Sequence, residues 1–426
     1  MTVAGGTSTE LLGRVAQQLL EAALADLEPL PPLPMALLES LGVVLAEDVI
    51  AAMPVPAFDV AAVDGYAVRS HDTLGDAQWA GGRPCAADVR LHVIGDLTAA
   101  SWEPATVSAG ASYTVTTGTP LPVGADAVVP DAATDGGLAS VRIGQVTRSG
   151  DGIRRQGSTV AAGTLLAAVG HRVTAPIIAL LAAAGVESVL VSPPPRLIVA
   201  ATGDELVEPS RPGAVSSVPG RVVDIDSLGL TAAAREAGTQ AYRVGIVPDE
   251  DEALRLLVSD HLHHADLLVT TGGTGPGRTD VLRRLFGQDD EVGFATLPLD
   301  PPLVVGYGRV GPGRLPVVCL PGDPAGALLG FELLLRPLLR RLAGAPSPFR
   351  PTAVVRLASP LRSPAGIREF RPARLVGDGT AQPLAGGDAF LIGYATATAL
   401  LVVDEETTDV AAGAKLSALL LEPGLE

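Results

Sequence analysis

One stretch near the middle of the chain combines the residue types that bind phosphate groups. Apolar residues run through 265–269, and threonines and glycines follow as far as Gly277. Thr279 and Asp280 then open the amphipathic run 281–286. This order predicts a buried strand, a glycine loop and a capped helix. Glycines let a backbone approach a ligand and helix N-terminal amides attract anions, so the stretch is either a phosphate loop or a ligand-free turn.

Two other predicted strand ends carry glycine beside acids or hydroxyls, at 202–205 and 320–323. In an open parallel sheet, ligands bind beyond the carboxyl ends of the strands. The loop at 270–280 matches neither the Walker pattern nor GxGxxG. Three such loops at one edge of a sheet indicate a binding site more strongly than any single loop does.

Alternating helices and strands from about residue 173 onward are typical of an α/β unit. Its central strand is expected at 266–271. The other expected elements of this unit are helices at 176–184, 227–237, 250–264 and 326–342 and strands at 187–191, 196–201 and 315–320.

Two further segments alternate and turn often enough to predict small β units, one over 80–150 and one over 352–426. A proline-rich linker near 346–351 precedes the second. At the N-terminus, the spacing of apolar residues predicts helices over 8–24 and 35–45.

Asp59 and Asp64 lie five residues apart in an otherwise apolar segment, and each is either functional or part of a structural turn. Thr117 follows in a rigid Pro/Gly loop, where its hydroxyl can donate to an anion. His261 and His264 can share a helix face, but no third metal ligand is near in sequence. A solvated helix end is therefore the favoured interpretation of these histidines.

Composition excludes several classes of partner. The 426 residues carry a formal net charge of −17, which leaves no basic surplus to replace the counterions of a nucleic acid. Apolar stretches are too short to span a bilayer, the N-terminus lacks a signal-peptide pattern, and Cys85 and Cys319 give no disulfide framework. We expect a cytoplasmic protein of about two to four domains that binds no nucleic acid and does not insert into a membrane.

Six motifs, in order, resemble one family: the molybdopterin molybdotransferases, which include bacterial MoeA proteins and the E domain of gephyrin. The resemblance covers nearly the whole chain. The motifs are PxPAFDxxAxDGYAVR at 54–69, TTGTPLPxGADAVV at 116–129, ATGDEL at 201–206, DLLVTTGG at 266–273, LPGxP at 320–324 and REFRP at 368–372.

The resemblance implies a multidomain homodimer of mixed α/β and β architecture. A central α/β domain similar to MogA, with a mostly parallel sheet, would comprise 1–27 and 174–345. A small extended domain would comprise 28–50 and 148–173. An inserted β domain would span 51–147, and a C-terminal β-barrel 346–426.

The resemblance also implies chemistry: insertion of molybdate into adenylylated molybdopterin, with release of AMP and use of Mg²⁺. Residues that stand at the family's functional acids and hydroxyls are Asp59, Asp64, Thr117, Glu205, Asp249 and Asp280, with Glu205 and Asp280 as metal ligands. Residues of the ligand loops and the C-terminal motif are Thr271, Gly272, Gly273, Gly275, Gly277, Arg278, Pro321, Gly322, Pro324, Arg368 and Arg371.

Several positions depart from the family pattern. Ser158 and Thr159 replace a Glu-Asp pair, and Pro298 and Pro301 replace two lysines. Asp300 and Asp323 are expected to add negative charge where anionic groups of the ligand would bind, and Arg278 to restore one cation.

Two functions are therefore open. The chain is a divergent molybdotransferase, or it is a catalytically degenerate, gephyrin-like dimeric scaffold that binds a protein partner or binds pterin without turnover.

Overall fold

In the computed structural model the chain forms a central α/β sheet, a five-stranded β sheet, a closed barrel and several small sheets. The structure describes residues 11–74, 79–80, 83–84, 89–100, 104–209, 219–261, 263–275, 280–287 and 292–421.

The central sheet has six strands. The first four are parallel neighbours, the fifth is antiparallel to both of its neighbours, and the sixth therefore runs in the same direction as the first four. The middle strand, Leu267–Thr271, is buried throughout because helices cover both faces of the sheet. The expectation of a mostly parallel α/β sheet is confirmed. In spatial order the strands are Gln240–Val247, Arg196–Thr202, Leu267–Thr271, Leu315–Leu320, Leu303–Val310 and Val292–Leu297.

Helices pack on the two faces of this sheet in separate apolar clusters. One cluster joins Leu20, Leu230, Leu338 and Val269, and the other joins Leu254, Leu282 and Leu268. Since neighbouring strand residues point to opposite faces, Leu268 and Val269 enter different clusters. The helices are Arg14–Asp26, Ala175–Ala183, Asp226–Glu236, Asp251–His261, Val281–Phe286, Pro324–Gly330, Arg336–Leu342 and Phe390–Tyr394.

The helix predicted at 326–342 is present, but it contains a π-helical segment, Phe331–Leu335, between two α-helical parts. The helix predicted at 35–45 is wrong. Leu33–Ala36 is a strand that pairs antiparallel with Ser188–Ser192, and Val44–Leu45 pairs with the other edge of the same strand. Pairing with a partner about 150 residues away overrides local helix propensity, because Met35 and Leu45 are packed in a cluster with that strand.

The inserted segment forms a five-stranded sheet around Gly65–Val68. Its strands are, in spatial order, Ala127–Pro130, Gly65–Val68, Ala111–Val115, Val89–Leu97 and Ser140–Ile143. Smaller two-stranded pairs are Val49–Ile50 with Leu165–Ala167, Val60–Ala61 with Ile153–Arg154, Trp79–Ala80 with Arg83–Pro84, Leu206–Val207 with Val222–Val223 and Leu361–Arg362 with Asp409–Val410.

The C-terminal strands close into a five-stranded barrel, as expected. Closure follows from the pairing of Arg368–Leu375 with both Thr380–Pro383 and Ala399–Val403, at the two ends of the series. The strands around the barrel are Arg368–Leu375, Thr380–Pro383, Thr352–Leu357, Lys415–Leu420 and Ala399–Val403.

Among the described residues, no helix is long and apolar enough to cross a membrane. Cys319 is a buried free thiol. Cys85 lies outside the described residues.

Candidate functional site

Three strand-end loops of the central sheet meet around one cavity of about 440 Å³. The loops follow Arg196–Thr202, Leu267–Thr271 and Leu315–Leu320, which are adjacent parallel strands. Their carboxyl ends therefore lie at the same edge, where the sequence predicted a site. The predicted residues that line this cavity are Glu205, Asp249, Thr271, Gly272, Gly273, Gly275, Asp280, Pro321, Gly322 and Pro324.

Glycine is required where two of these loops cross. Gly272 has φ +93°, and a Cβ there would lie 2.3 Å from the Thr202 carbonyl oxygen. A Cβ on Gly322 would lie 3.2 Å from the Gly272 Cα, so the loops pack backbone against backbone. Gly272 N–H also donates to the Leu320 carbonyl at 3.2 Å. Small residues at these positions therefore bring the main chain of neighbouring loops to the wall of the cavity.

Carboxylates also line the cavity. Asp280 directly precedes the short helix Val281–Phe286, but its side chain makes no capping hydrogen bond. It lies instead beside Gly275, where an added Cβ would be 3.1 Å from Asp280 Oδ2. Burial raises the pKa of Asp249, and the nearby charges of Asp204, Glu205 and Asp280 raise it further. Asp249, Glu205 and Asp280 all line the cavity.

Sequence reasoning missed two acids of the cavity, Asp224 and Asp226. Asp224 is buried, and hydrogen bonds from Arg243 and Ser227 hold its pKa low although burial acts in the other direction. Asp226 begins the helix Asp226–Glu236, and burial raises its pKa to about 7. The sequence signal for these two acids was an alternation of apolar and acidic residues just before a helix, at 223–226.

The carboxylates of the cavity would suit a divalent cation that also binds a phosphate ligand. No group of three His, Cys, Asp or Glu side chains in the described part of the chain stands ready to enclose a metal. Mg²⁺ does not need such a cage, since it keeps several waters and binds through one or two carboxylates plus phosphate oxygens. Glu205 and Asp280, which add to the repulsion on Asp249, are suitable donors of this kind.

Asp59, Asp64 and Thr117 lie in another part of the chain and do not line this cavity. Asp64 Oδ1 accepts hydrogen bonds from Thr117 N at 2.6 Å and Thr117 Oγ1 at 2.8 Å. These bonds hold the pKa of Asp64 below its ordinary value. Asp59 accepts from Gln156 N at 2.7 Å and from Arg155 Nη1 at 2.6 Å, which lowers its pKa also. Both acids are thus ionised and fixed on the surface of one chain.

Arg368 and Arg371 of the C-terminal motif are absent from the cavity wall. Arg368 donates to Glu405 at 2.9 Å and to the Leu11 carbonyl at 2.8 Å, and so joins the barrel to the start of the chain. Arg371 donates to the buried Glu369 at 2.6 Å. Within one chain, both guanidiniums serve the barrel and not the cavity.

Two expected charge changes have a different structural meaning. Asp323 Oδ2 accepts the Gly326 N–H at 2.8 Å and caps the helix Pro324–Gly330. Asp300 pairs alongside Glu369 in a short strand added to the barrel sheet. Neither carboxylate lines the cavity, although the charge of Asp323 still acts on the cavity acid Asp226.

The loop's remaining predicted residues, Gly277 and Arg278, lie outside the described residues. Pro298 and Pro301 flank the short strand Leu299–Asp300, and neither lines the cavity. None of the described residues that line the cavity is Lys or Arg. An anionic group there would be held by backbone amides, hydroxyls and any bound cation.

Family models match most of the chain. They are the MoeA N-terminal region (domain I and II) over residues 14–185, a probable molybdopterin binding domain over 198–341 and the MoeA C-terminal region (domain IV) over 354–421. This chain belongs to the MoeA family. The glycine loops and the acids around the cavity all fall within the segment that matches the molybdopterin binding domain.

Curated relatives agree with the assignment to MoeA. The chain is 36% identical over 393 residues to molybdopterin molybdenumtransferase 2 of Mycobacterium tuberculosis (strain ATCC 25618 / H37Rv), covering 90% of this chain and 94% of that protein. It is 37% identical over 357 residues to molybdopterin molybdenumtransferase 1 of the same strain, covering 82% of each. These relatives support the prediction of an enzyme of molybdenum cofactor biosynthesis.

A solved MoeA structure has the same architecture. The crystal structure of the molybdopterin biosynthesis MoeA protein from Pyrococcus horikosii superimposes with a TM-score of 0.77 at 28% identity, covering 95% of this chain and 98% of that one. The predicted multidomain α/β and β fold is thereby confirmed.

Proposed function

We propose that this MoeA-family chain is a molybdopterin molybdotransferase that inserts molybdate into adenylylated molybdopterin and releases AMP. The observation that carries the proposal is the cavity at the carboxyl edge of the central sheet, where crossing glycine loops face converging carboxylates. The backbone of the glycine loops suits a pyrophosphate, and the acids of the same cavity suit the cation that such a ligand brings.

In this proposal the loop around Gly272 and Gly273 orients the pyrophosphate group. Glu205 and Asp280 would hold Mg²⁺, which when bound neutralises phosphate charge. Burial and neighbouring acids raise the pKa of Asp249, which favours a role for this carboxyl group in accepting or returning a proton. Pro321, Gly322 and Pro324 form the floor on which the neighbouring loop rests.

We infer that the active form is a homodimer. Asp59, Asp64 and Thr117 are ionised or polar groups fixed by short hydrogen bonds, yet they do not reach the cavity of their own chain. A second copy is the simplest source of these groups at the site. Size-exclusion chromatography with light scattering tests the assembly, and complementation of an Asp64→Asn chain by a Glu205→Gln chain tests whether sites are shared.

A second candidate function is pterin binding without turnover. It is favoured by the absence of Lys and Arg among the described residues of the cavity wall, since phosphoryl chemistry gains from fixed cations. The same scaffold would then serve a protein partner.

We further propose a cytoplasmic location, and domains bounded as the sequence predicts at 28, 51, 148, 174 and 346.

Release of AMP decides between the two functions. Purified protein is incubated with adenylylated molybdopterin, molybdate and Mg²⁺, alongside Glu205→Gln and, as control, Glu236→Gln at an exposed helix end. If the protein is a transferase, AMP release by wild type depends on molybdate. The rate of release then falls at least about tenfold in Glu205→Gln and stays unchanged in Glu236→Gln. Tight ligand binding without release in wild type would establish the second function.

A further inference from the structure

The Thr271 hydroxyl lies between two oxygen atoms beneath the cavity. Thr271 Oγ1 is 2.8 Å from the Pro321 carbonyl oxygen and 3.2 Å from Asp226 Oδ2. A hydroxyl has one proton, and a carbonyl oxygen can only accept. If Thr271 donates along the shorter distance, to Pro321, its contact with Asp226 is a hydrogen bond only when Asp226 supplies the proton.

No cation is available to stabilise a charged Asp226 within the described residues around it. The preceding turn presents Asp224, and the cap of the helix Pro324–Gly330 presents Asp323. Arg243, on the strand Gln240–Val247, is bound to Asp224 and Glu208. The other cavity acids are Glu205, Asp249 and Asp280. The charged groups that act on Asp226 are therefore the acids Asp224 and Asp323, and Arg243 is already paired with Asp224 and Glu208.

The second oxygen of Asp226 is also informative. Asp226 Oδ1 is buried and has no hydrogen-bond partner in the part of the chain that the structure describes. A buried carboxylate oxygen without a partner is costly, whereas a neutral carboxyl group bears the same burial more easily. Burial raises the pKa of this group to about 7. The charges of Asp224 and Asp323 also raise this pKa, whereas the hydrogen bond with Thr271 lowers it.

We propose that Asp226 is a neutral carboxylic acid that donates its proton to Thr271, and that loss of this proton weakens binding of an anion in the cavity. The relay runs from Asp226 O–H to Thr271 Oγ1 and from the Thr271 hydroxyl to the Pro321 carbonyl. It joins the helix Asp226–Glu236 to the two ligand loops. Deprotonation releases one proton to solvent, breaks the relay and adds a negative charge beside the anion. Asp226 is thus a positioning residue, and the role of the anion rests on the proposed function while the protonation does not.

The protonation is tested by thermal unfolding as a function of pH, with Asp226→Asn as the central variant. Asparagine is isosteric, neutral at every pH and able to donate to Thr271. Between the ordinary carboxyl pKa and about 7, the native state keeps a proton that the unfolded chain has released, so wild-type stability falls as pH rises. We expect the Tm of Asp226→Asn to rise relative to wild type across this interval and then to level off.

Glu236→Gln, at the exposed end of the same helix, is the matched control and should keep a constant offset from wild type. A constant offset for Asp226→Asn as well would overturn the proposal. If that variant fails to fold, infrared spectra of wild type decide. The C=O stretch of a protonated carboxylic acid must disappear with a midpoint near pH 7, and its absence at lower pH refutes a neutral Asp226.

The coupling to ligand is tested by calorimetric binding of molybdate alone, whose own charge is constant around neutral pH. We expect wild-type affinity to fall above the Asp226 pKa with a slope that approaches about tenfold per pH unit, the limit for release of one proton, while Asp226→Asn shows no such fall. Equal pH dependence in both proteins overturns the coupling, as does failure of molybdate to bind at any pH. Absence of AMP release with these pH effects intact would reject the proposed function and leave the inference standing.

Discussion

Replacement of Glu332 by glutamine should destabilise the junction between the central domain and the barrel. Glu332 lies in the π-helical segment Phe331–Leu335 and is only 3% exposed. Its carboxylate accepts hydrogen bonds from Arg336 at 2.8 Å, from Arg350 at 2.9 Å and from Tyr394 at 3.1 Å. Arg350 leads into the barrel and Tyr394 belongs to it, so one buried acid ties three segments together.

The magnitude follows from what the substitution leaves behind. Arg336 and Arg350 are 3% and 9% exposed, and without the carboxylate two buried guanidiniums would face each other with reduced compensation. Removal of one partner from a buried ion pair costs about 3–5 kcal/mol. Glutamine keeps an acceptor for Tyr394, so we expect Glu332→Gln to lose about 3 kcal/mol and Glu332→Ala to lose more.

This loss should depend on pH in a defined direction. Burial alone would raise the pKa of Glu332, but the bonds and charges of Arg350 and Arg336 outweigh it and hold the pKa below its ordinary value. A carboxyl group whose pKa is lowered on folding contributes stability above its unfolded pKa, and that contribution is lost as pH falls through the folded pKa. The difference between wild type and Glu332→Gln should therefore be full at neutral pH and shrink in acid.

Differential scanning calorimetry of the full chain measures the effect, with separate transitions fitted where domains unfold independently. The matched control is Asp251→Asn. This substitution removes the ion pair between Asp251 and Arg284, which has a similar N–O distance but has both side chains about two-fifths exposed. Such a surface pair contributes at most about 1 kcal/mol. Equal, small losses in the two variants would refute the argument that the Glu332 cluster holds the junction.

Two further substitutions test the cavity loops. Gly272→Ala places a Cβ 2.3 Å from the Thr202 carbonyl at a residue with φ +93°, so the loops must separate; we expect a loss of about 2 kcal/mol or more by chemical denaturation and loss of ligand binding by calorimetry. Unchanged binding would show that the loop crossing does not shape the site. Asp323→Ala removes a helix cap and should cost about 0.5–2 kcal/mol, whereas Asp323→Asn should cost little because asparagine caps equally well. A large loss in Asp323→Asn would mean that the charge itself matters.

Local sequence patterns were sufficient to predict the strands that end in the three loops of the cavity. The strand Leu267–Thr271 was predicted to within one residue because a buried parallel strand reads as an apolar run that ends at glycine. The β character of the C-terminal segment was predicted from its short strand-like runs separated by turns, as at Thr352–Leu357 and Ala399–Val403. Convergence of the three loops followed from the rule that parallel strands share a carboxyl edge.

Features that depend on distant pairing could not be predicted in this way. The segment 33–36 became a strand because Ser188–Ser192 offers it an edge, which no local pattern shows. Asp226 entered the site because a helix start approaches Thr271, 45 residues further along the chain. Asp323 was predicted to repel a ligand, but its carboxylate caps a helix through a hydrogen bond from Gly326, which the charge argument from the sequence did not foresee.

These corrections change the electrostatic argument about the site. The sequence suggested that this MoeA-family chain had lost cations and gained acids around its ligand. The structure removes Asp300 and Asp323 from the cavity wall and, if Asp226 is neutral, removes one more negative charge. Of the other cavity acids, Asp224 is paired with Arg243, and Glu205, Asp249 and Asp280 are those that a shared cation would neutralise. Anion binding without Lys or Arg on the described wall then requires only that the backbone reach the ligand, which is what the glycines at the loop crossing permit.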